Sequence, residues 1–317
     1  MKSIPVYGSV LSESMREFVE FKRMQGYEYR VGAYKLKLFD RFLKKSVCFD
    51  GILKDDVFAE YIASMHCKPI SRVQQLSVVR QFSRYLHSLH PENTVLSMSM
   101  QPKYTHNLRF YYLSSEEIKD LMLATAELKP VNGIKVHCVR FLIGFLYCTG
   151  LRINEALNLN LENVNVQDAV ITVRKGKFGK DRIVALSESM SNALKQYLDV
   201  RSRYASTGLT APLMVGKYNA RLTYWQAVSS FRKLCKITGL DNKQTPRLHD
   251  LRHNFACGCL EVWRNEGEDI QALLPVLANA MGHVNYYSTQ IYVHTNGETL
   301  RSASERFASH FESESTI

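Results

Sequence analysis

The chain has 317 residues, 45% hydrophobic and 22% charged, a globular composition long enough for two domains with separate cores. A formal net charge of +11, with 16 Lys+Arg against 10 Asp+Glu in residues 1–105 and 25 against 20 in the rest, draws the protein to polyanions, nucleic acid first among them. No apolar run approaches the roughly 20 residues of a membrane span, the opening MKSIPVYGSVLSES lacks a signal-peptide core, and seven irregularly spaced cysteines argue against a disulfide framework and for a reducing compartment.

Residues 1–95 read as a helical domain. Ser12–Met24 is predicted as a helix, with Ser12 and Ser14 as candidate caps and Met15, Phe18, Val19 and Phe21 apolar. Gly26 interrupts it. Tyr34, Leu36, Leu38, Phe39, Phe42 and Leu43 then recur at helical spacing, with Lys35, Lys37, Arg41, Lys44 and Lys45 between them. Further helices are expected over Lys54–Met65 and Arg72–Leu89. Basic outer faces suit contact with duplex phosphates; a solvated bundle with no ligand has the same pattern. From Pro91 periodicity fades, and residues 96–112, with Pro102, Lys103, His106 and Arg109, read as a basic linker.

Residues 113–317 form the second expected domain. Ser114 or Ser115 caps a helix whose first turn holds Glu116 and Glu117. A strongly apolar helix covers 135–147 and stops at Thr149-Gly150; Arg152 opens the next. Residues 169–174 and 182–186 read as two strands joined by a Gly-rich turn. Ser187 caps a helix running to about Tyr204, and further helices are expected over 249–264, 268–281 and 297–310. Cys257 and Cys259 read as packing within a helix, because no second Cys/His pair stands at zinc-site spacing. The fold class is therefore mainly α with a small antiparallel β-sheet.

Four patterns in this half carry cations and hydrogen-bond donors. Arg152, just after a helix break, suits a phosphate, and equally an ion pair with Glu155 one turn on. Lys175-Gly176-Lys177-Phe178-Gly179-Lys180 presents lysines on a tight turn, as a proton donor or as a solvated basic tip; its spacing is not that of a nucleotide-binding loop. His249 and Arg252 share a helix face and converge on one ligand, or merely decorate a helix start. Tyr292 follows His283 by nine residues, and Tyr286, Tyr287 and Tyr292 also suit a core. Taken as a set, two arginines, two histidines, a lysine and a tyrosine supply what metal-free phosphoryl transfer needs: donors around the phosphorane, a nucleophile and an acid for the leaving oxygen. No Asp/Glu cluster suggests a two-metal site, so no metal or cofactor is expected.

In order and spacing, TGLRINEAL, KFGKDRIVAL, LHDLRHNFA and MGHVNYYSTQIYVH resemble the tyrosine recombinase (phage integrase) family from about Leu113 to Tyr292, and the helical N-terminal half resembles the family's core-binding domain more loosely. The resemblance implies a core-binding domain followed by a mixed α/β catalytic domain. It implies that Arg152 and Arg252 hold the scissile phosphate, that His249 aids proton transfer from the nucleophile, and that His283 donates to a phosphate oxygen. It further implies Lys177 as general acid, Tyr292 as the nucleophile forming a 3′-phosphotyrosine, and Glu155 as a supporting group. Counting back from Arg182-Ile183-Val184 selects Lys177, with Lys175 and Lys180 close by as alternatives. Asn154 and Ala185 depart from the family's usual small residue and proline.

The implied partners are double-stranded recombination sites, a homotetramer on two duplexes and DNA-bending accessory proteins, in the bacterial cytoplasm or nucleoid, with no membrane. The C-terminal helix, with Leu300, Ala303, Phe307 and Phe311, is expected to dock on a neighbouring protomer or on its own domain. The long Glu261–Ala280 segment, with Trp263 and Leu274-Pro275, resembles the transposon-encoded branch, a mobile-element integrase. A type IB topoisomerase-like relaxase and a catalytically silent DNA-binding protein are the rival readings.

Overall fold

A computed structural model of the chain describes residues 5–46, 49–102, 110–129, 133–174, 181–216, 218, 220–241, 245–282 and 289. It divides into two compact units, 1–108 and 109–317. Each follows from its own apolar periodicity.

The first unit is built from α1 (Ser12–Met24), α2 (Arg30–Lys45), α3 (Asp55–Ala63) and α4 (Pro69–Leu89). Helices α1 and α2 both pack on α4, and Phe18, Phe39, Phe58 and Phe82 fill the core. Neither Ser12 nor Ser14 caps α1: Leu11 holds that position without a side-chain bond, and the backbone N–H of Ser12 turns back to the Ser9 carbonyl instead. The entering segment is pinned by buried Asp40, whose carboxylate accepts the N–H groups of Gly8 and Ser9. Past α4 the chain stays attached. Thr94 N–H bonds the Leu53 carbonyl, and Arg80 donates to the carbonyls of Leu96 and Ser97 and to Gln101. Residues 93–101 thus pack on the helices, where the sequence suggested a linker from 96.

The second unit surrounds α6 (Ile134–Thr149), which packs against α8 (Glu188–Ser202) and α10 (Leu248–Asn265). Ahead of it, α5 (Ser115–Leu123) starts with a capping box: Ser114 Oγ accepts from Glu117 N–H, and the Glu117 carboxylate accepts from Ser114 N–H. Helix α6 stops at Gly150 in the left-handed region, φ +60°, and a Cβ there would run into the Phe255 ring. The short α7 (Ile153–Asn158) follows. The sheet is antiparallel, order β1 (Val164–Asn165), β2 (Val170–Val173), β3 (Arg182–Ala185), with Val170 opposite Ala185 and Val173 opposite Arg182. Ile171, Val173 and Val184 face the core. Helix α8 is capped by Ser187. Helices α9 (Tyr224–Ile237) and α11 (Ile270–Met281) complete the described elements. The fold is mainly α with a small antiparallel sheet, as the sequence indicated. Helix α9 and strand β1 were not anticipated, and the helix expected over 297–310 lies outside the described residues.

Cys257 and Cys259 lie within α10, packed with Leu260, Leu274 and Leu277. Among the described residues no helix is long and apolar enough to cross a membrane.

Candidate active site

The site is organised around the C-terminal end of α11. Asp269 caps the start of this helix, and Gly282, φ +69°, ends it. The last carbonyls of a helix carry partial negative charge and lack partners within it. Three arginines from three other elements supply those partners. Arg252, one turn into α10, donates from Nη2 to the Met281 carbonyl at 2.8 Å and from Nη1 to the Gly150 carbonyl at 2.6 Å. Arg152, at the boundary of α7, reaches Met281 O at 3.4 Å and Gly282 O at 2.9 Å. Arg182, the first residue of β3, donates from Nε to Ala280 O at 3.0 Å.

Glu155 joins two of these cations. Its Oε1 accepts from Arg152 Nη1 at 2.9 Å and Arg182 Nη1 at 3.1 Å. Its Oε2 accepts from the Arg152 backbone N–H at 2.9 Å and Arg182 Nη2 at 2.7 Å. Burial alone would raise the Glu155 pKa, but the bonds and charge of Arg182, with those of Arg152, outweigh it and bring the carboxyl down to about 2. The ion pair with Glu155 and the convergence of Arg152 on a shared site, alternatives at the level of sequence, are therefore both present.

His249 lies in the first turn of α10, three residues before Arg252, which puts the two on one face. That turn is fixed by buried Asp250, which accepts the N–H of Arg247 at 2.8 Å and pairs with its guanidinium at 2.6 Å. The His249 ring meets His253 edge-on at 4.7 Å, and His253 stacks on Phe110 at 5.0 Å. Burial lowers the His249 pKa, helped by the positive charge of Arg252 and Arg247, and burial takes His253 to about 4. Both effects favour the neutral imidazole over the imidazolium at His249. It lines a cleft of about 460 Å³ together with Arg152, Asn154, Glu155 and Arg174.

The structure brings Arg152, Glu155, His249 and Arg252 together. Lys175, Lys177, Lys180, His283 and Tyr292 lie outside the described residues. Two participants escaped the sequence reading. Arg182 served there only as a register mark, and Arg174, which lines the cleft, was not singled out. The signal for Arg182 was a cation opening a strand at a position that faces inward; its bond to Glu155 spans 27 residues and has no local signature. Arg152 and His249 line the cleft, with Arg252 buried behind them; a guanidinium is a donor suited to an anion and an imidazole a group suited to proton transfer.

A family model described as the phage integrase family matches residues 111–299. Over 300 residues the chain is 29% identical to y4rE of Sinorhizobium fredii, named as an integrase/recombinase, covering 95% of this chain and 96% of that protein. It is 26% identical to the tyrosine recombinase XerA of Pyrococcus furiosus, over 93% and 94% of the two chains. Among solved structures, the Tn1549 transposon integrase in complex with transposon right end DNA shares the fold at a TM-score of 0.64 and 16% identity, covering 93% of this chain and 99% of that one.

Proposed function

The chain belongs to the phage integrase family and is a site-specific tyrosine recombinase; on that premise we propose that Tyr292 is its nucleophile and that Arg152, Lys177, His249, Arg252 and His283 complete its active site. Tyr292 Oη attacks the scissile phosphorus of duplex DNA. The bond to the 5′ oxygen breaks and a 3′-phosphotyrosine forms. Neutral His249 takes the tyrosine proton, and Lys177, with Lys175 as its alternative, protonates the departing 5′ oxygen. Arg152 and Arg252 neutralise the charge that grows on the phosphorane, and His283 donates to one of its oxygens. Glu155 supports Arg152. A 5′-hydroxyl from a second strand reverses the step and releases the tyrosine, so the phosphodiester count is conserved without ATP.

The observation that carries this reading is that Arg152 and Arg252, from separate elements, donate to the same Met281 carbonyl, with His249 three residues before Arg252. Two guanidiniums that share one acceptor oxygen are placed to share a phosphate. We further propose that residues 1–95 bind the duplex through basic helix faces and 113–317 cut it, and that four protomers pair two duplexes through a Holliday junction in the cytoplasm or nucleoid. Accessory proteins would bend those sites. The long segment through α11 fits a mobile-element integrase.

The test is covalent trapping. DNA recovered with the purified protein from its own genome is rebuilt as nicked suicide duplexes. Wild type is expected to give an SDS-resistant adduct on the 3′ side of the cut, and Tyr292→Phe none. Tight binding with no adduct from wild type would retire the catalytic assignment.

A further inference from the structure

The site contains a cation that the reaction, as described, does not use. We propose that Arg182 is a positioning residue for strand cleavage: it takes up the charge of Glu155 and ties the base of the β2–β3 hairpin to the end of α11, which leaves Arg152 with positive charge to spend on the scissile phosphate. This rests on the recombinase reading above.

The geometry makes the case in three steps. First, Glu155 is saturated, with two donors on each oxygen, and Arg182 supplies one of each pair. One carboxylate stands between two guanidiniums, so the group keeps a net positive charge. Without Arg182, Glu155 and Arg152 would form a neutral pair, and a neutral pair stabilises a growing anion far less than a cation does. Second, the same guanidinium reaches Ala280 through Nε. One planar fork therefore fixes three elements at once: β3, α7 and α11. A lysine has no such fork. Third, Gly282 is fitted to Arg182. A Cβ on Gly282 would stand 2.8 Å from Arg182 Nη1 and 2.9 Å from Cζ. Gly282, which precedes His283 in the sequence, thus lies in direct contact with Arg182. In the sequence, the candidate general acid lies between β2 and β3, the strand that Arg182 opens. Like Arg152, Arg182 bonds both Glu155 and the last turn of α11, but it does so from β3, a separate element.

The experiment uses full-length protein and single-turnover cleavage of the nicked suicide duplex, with duplex affinity and thermal midpoint recorded for each variant. Arg182→Gln is expected to slow cleavage about 100-fold, the scale of a misplaced catalytic group, with affinity little changed. In a Glu155→Gln background the same substitution is expected to cost far less, because the charge it balances is gone. Arg182→Lys is expected to recover part of the rate.

A wild-type rate in Arg182→Gln overturns the proposal. So does an equal loss in both backgrounds, or a loss that disappears on cooling to where variant and wild type are equally folded, which marks a purely structural pair. If Arg182→Gln does not fold, Arg182→Lys decides: about tenfold slower supports the proposal, since the lysine keeps the charge and loses the fork, and a wild-type rate sinks it. A silent wild type removes the recombinase reading, and this proposal with it; an active wild type beside an equally active Arg182→Gln removes the proposal alone.

Discussion

Arg201 and Arg252 are the two largest side chains fully sealed in the described part of the second unit, and their surroundings differ in an instructive way. Arg201, in the last turn of α8, donates to the carbonyls of Ser206, Pro212 and Leu213. Its neighbours are Tyr197, which bonds the same Leu213 carbonyl, and Cys138. It acts as a staple, closing a loop onto its own helix. Arg252 is satisfied in the same currency, backbone carbonyls, but it shares one of them with Arg152, and Arg152 opens onto a cleft with His249. Burial and carbonyl partners are what any buried guanidinium needs. A second cation on the same acceptor, next to solvent, is the difference on which the proposed phosphate-binding role rests.

The contrast is open to test. The largest effect is expected for Arg252→Gln: cleavage falls 10²- to 10³-fold, roughly what losing one transition-state donor costs, measured as adduct formed in a single turnover. If that variant cleaves like wild type, the distinction between the two arginines collapses. Arg201→Met is expected to do the opposite. Carbonyls at 206, 212 and 213 lose their donor, the second unit loses about 3 kcal/mol, and calorimetry shows a lower midpoint, while cleavage well below that midpoint matches wild type. A stable Arg201→Met that cannot cleave would mean that the staple reaches the site.

The smallest effect is one of pH. Around Arg201 the titrating groups are far from neutrality, since burial raises Cys138 to about 11 and lifts Tyr197 well above its usual value. Around Arg252, burial and neighbouring arginines depress His249 below its usual 6.5. A depressed histidine stays neutral in the folded state while the unfolded chain takes up a proton. Its contribution to stability is therefore present above pH 6.5 and is lost as the pH falls below it. Cleavage is expected to decline over the same interval, with a midpoint under 6.5, and NMR titration of the His249 ring should show the same value. A midpoint above 6.5 would contradict the burial of that ring.

Much of this was visible in the sequence where one residue type does one local job. The capping box of Ser114 and Glu117, the apolar run of α6 and its glycine stop, and the alternation in β2 all sit within a few residues of one another. What was hidden depends on distance or on weak contrast. Helix α9 buries Ala227, Ser230 and Cys235 beside Phe231 and Leu234, so its inner face is too mildly apolar to stand out. Strand β1 is two residues long and shows no alternation. Leu96 is a single buried leucine in an aperiodic stretch, and the groups that hold the stretch, Leu53, Arg80 and Ser83, lie 13 or more residues earlier. In the site, Arg152, Glu155, His249 and Arg252 were found because they stand in short patterns. Arg182 was not, because its meaning lies in partners 27 and 98 residues away.

Gly150 illustrates what such sharing implies for sequence change. Its left-handed backbone ends α6, its carbonyl receives Arg252, and its missing Cβ makes room for Phe255. Any L side chain would meet the ring and the unfavourable φ together, and the recoil would move the oxygen that orients the arginine. Drift at this position therefore has no neutral first step: a change at Phe255 to a smaller residue must come before it. The order in which mutations are tolerated here is set by geometry, so lineages that part at position 255 would be the ones able to explore position 150.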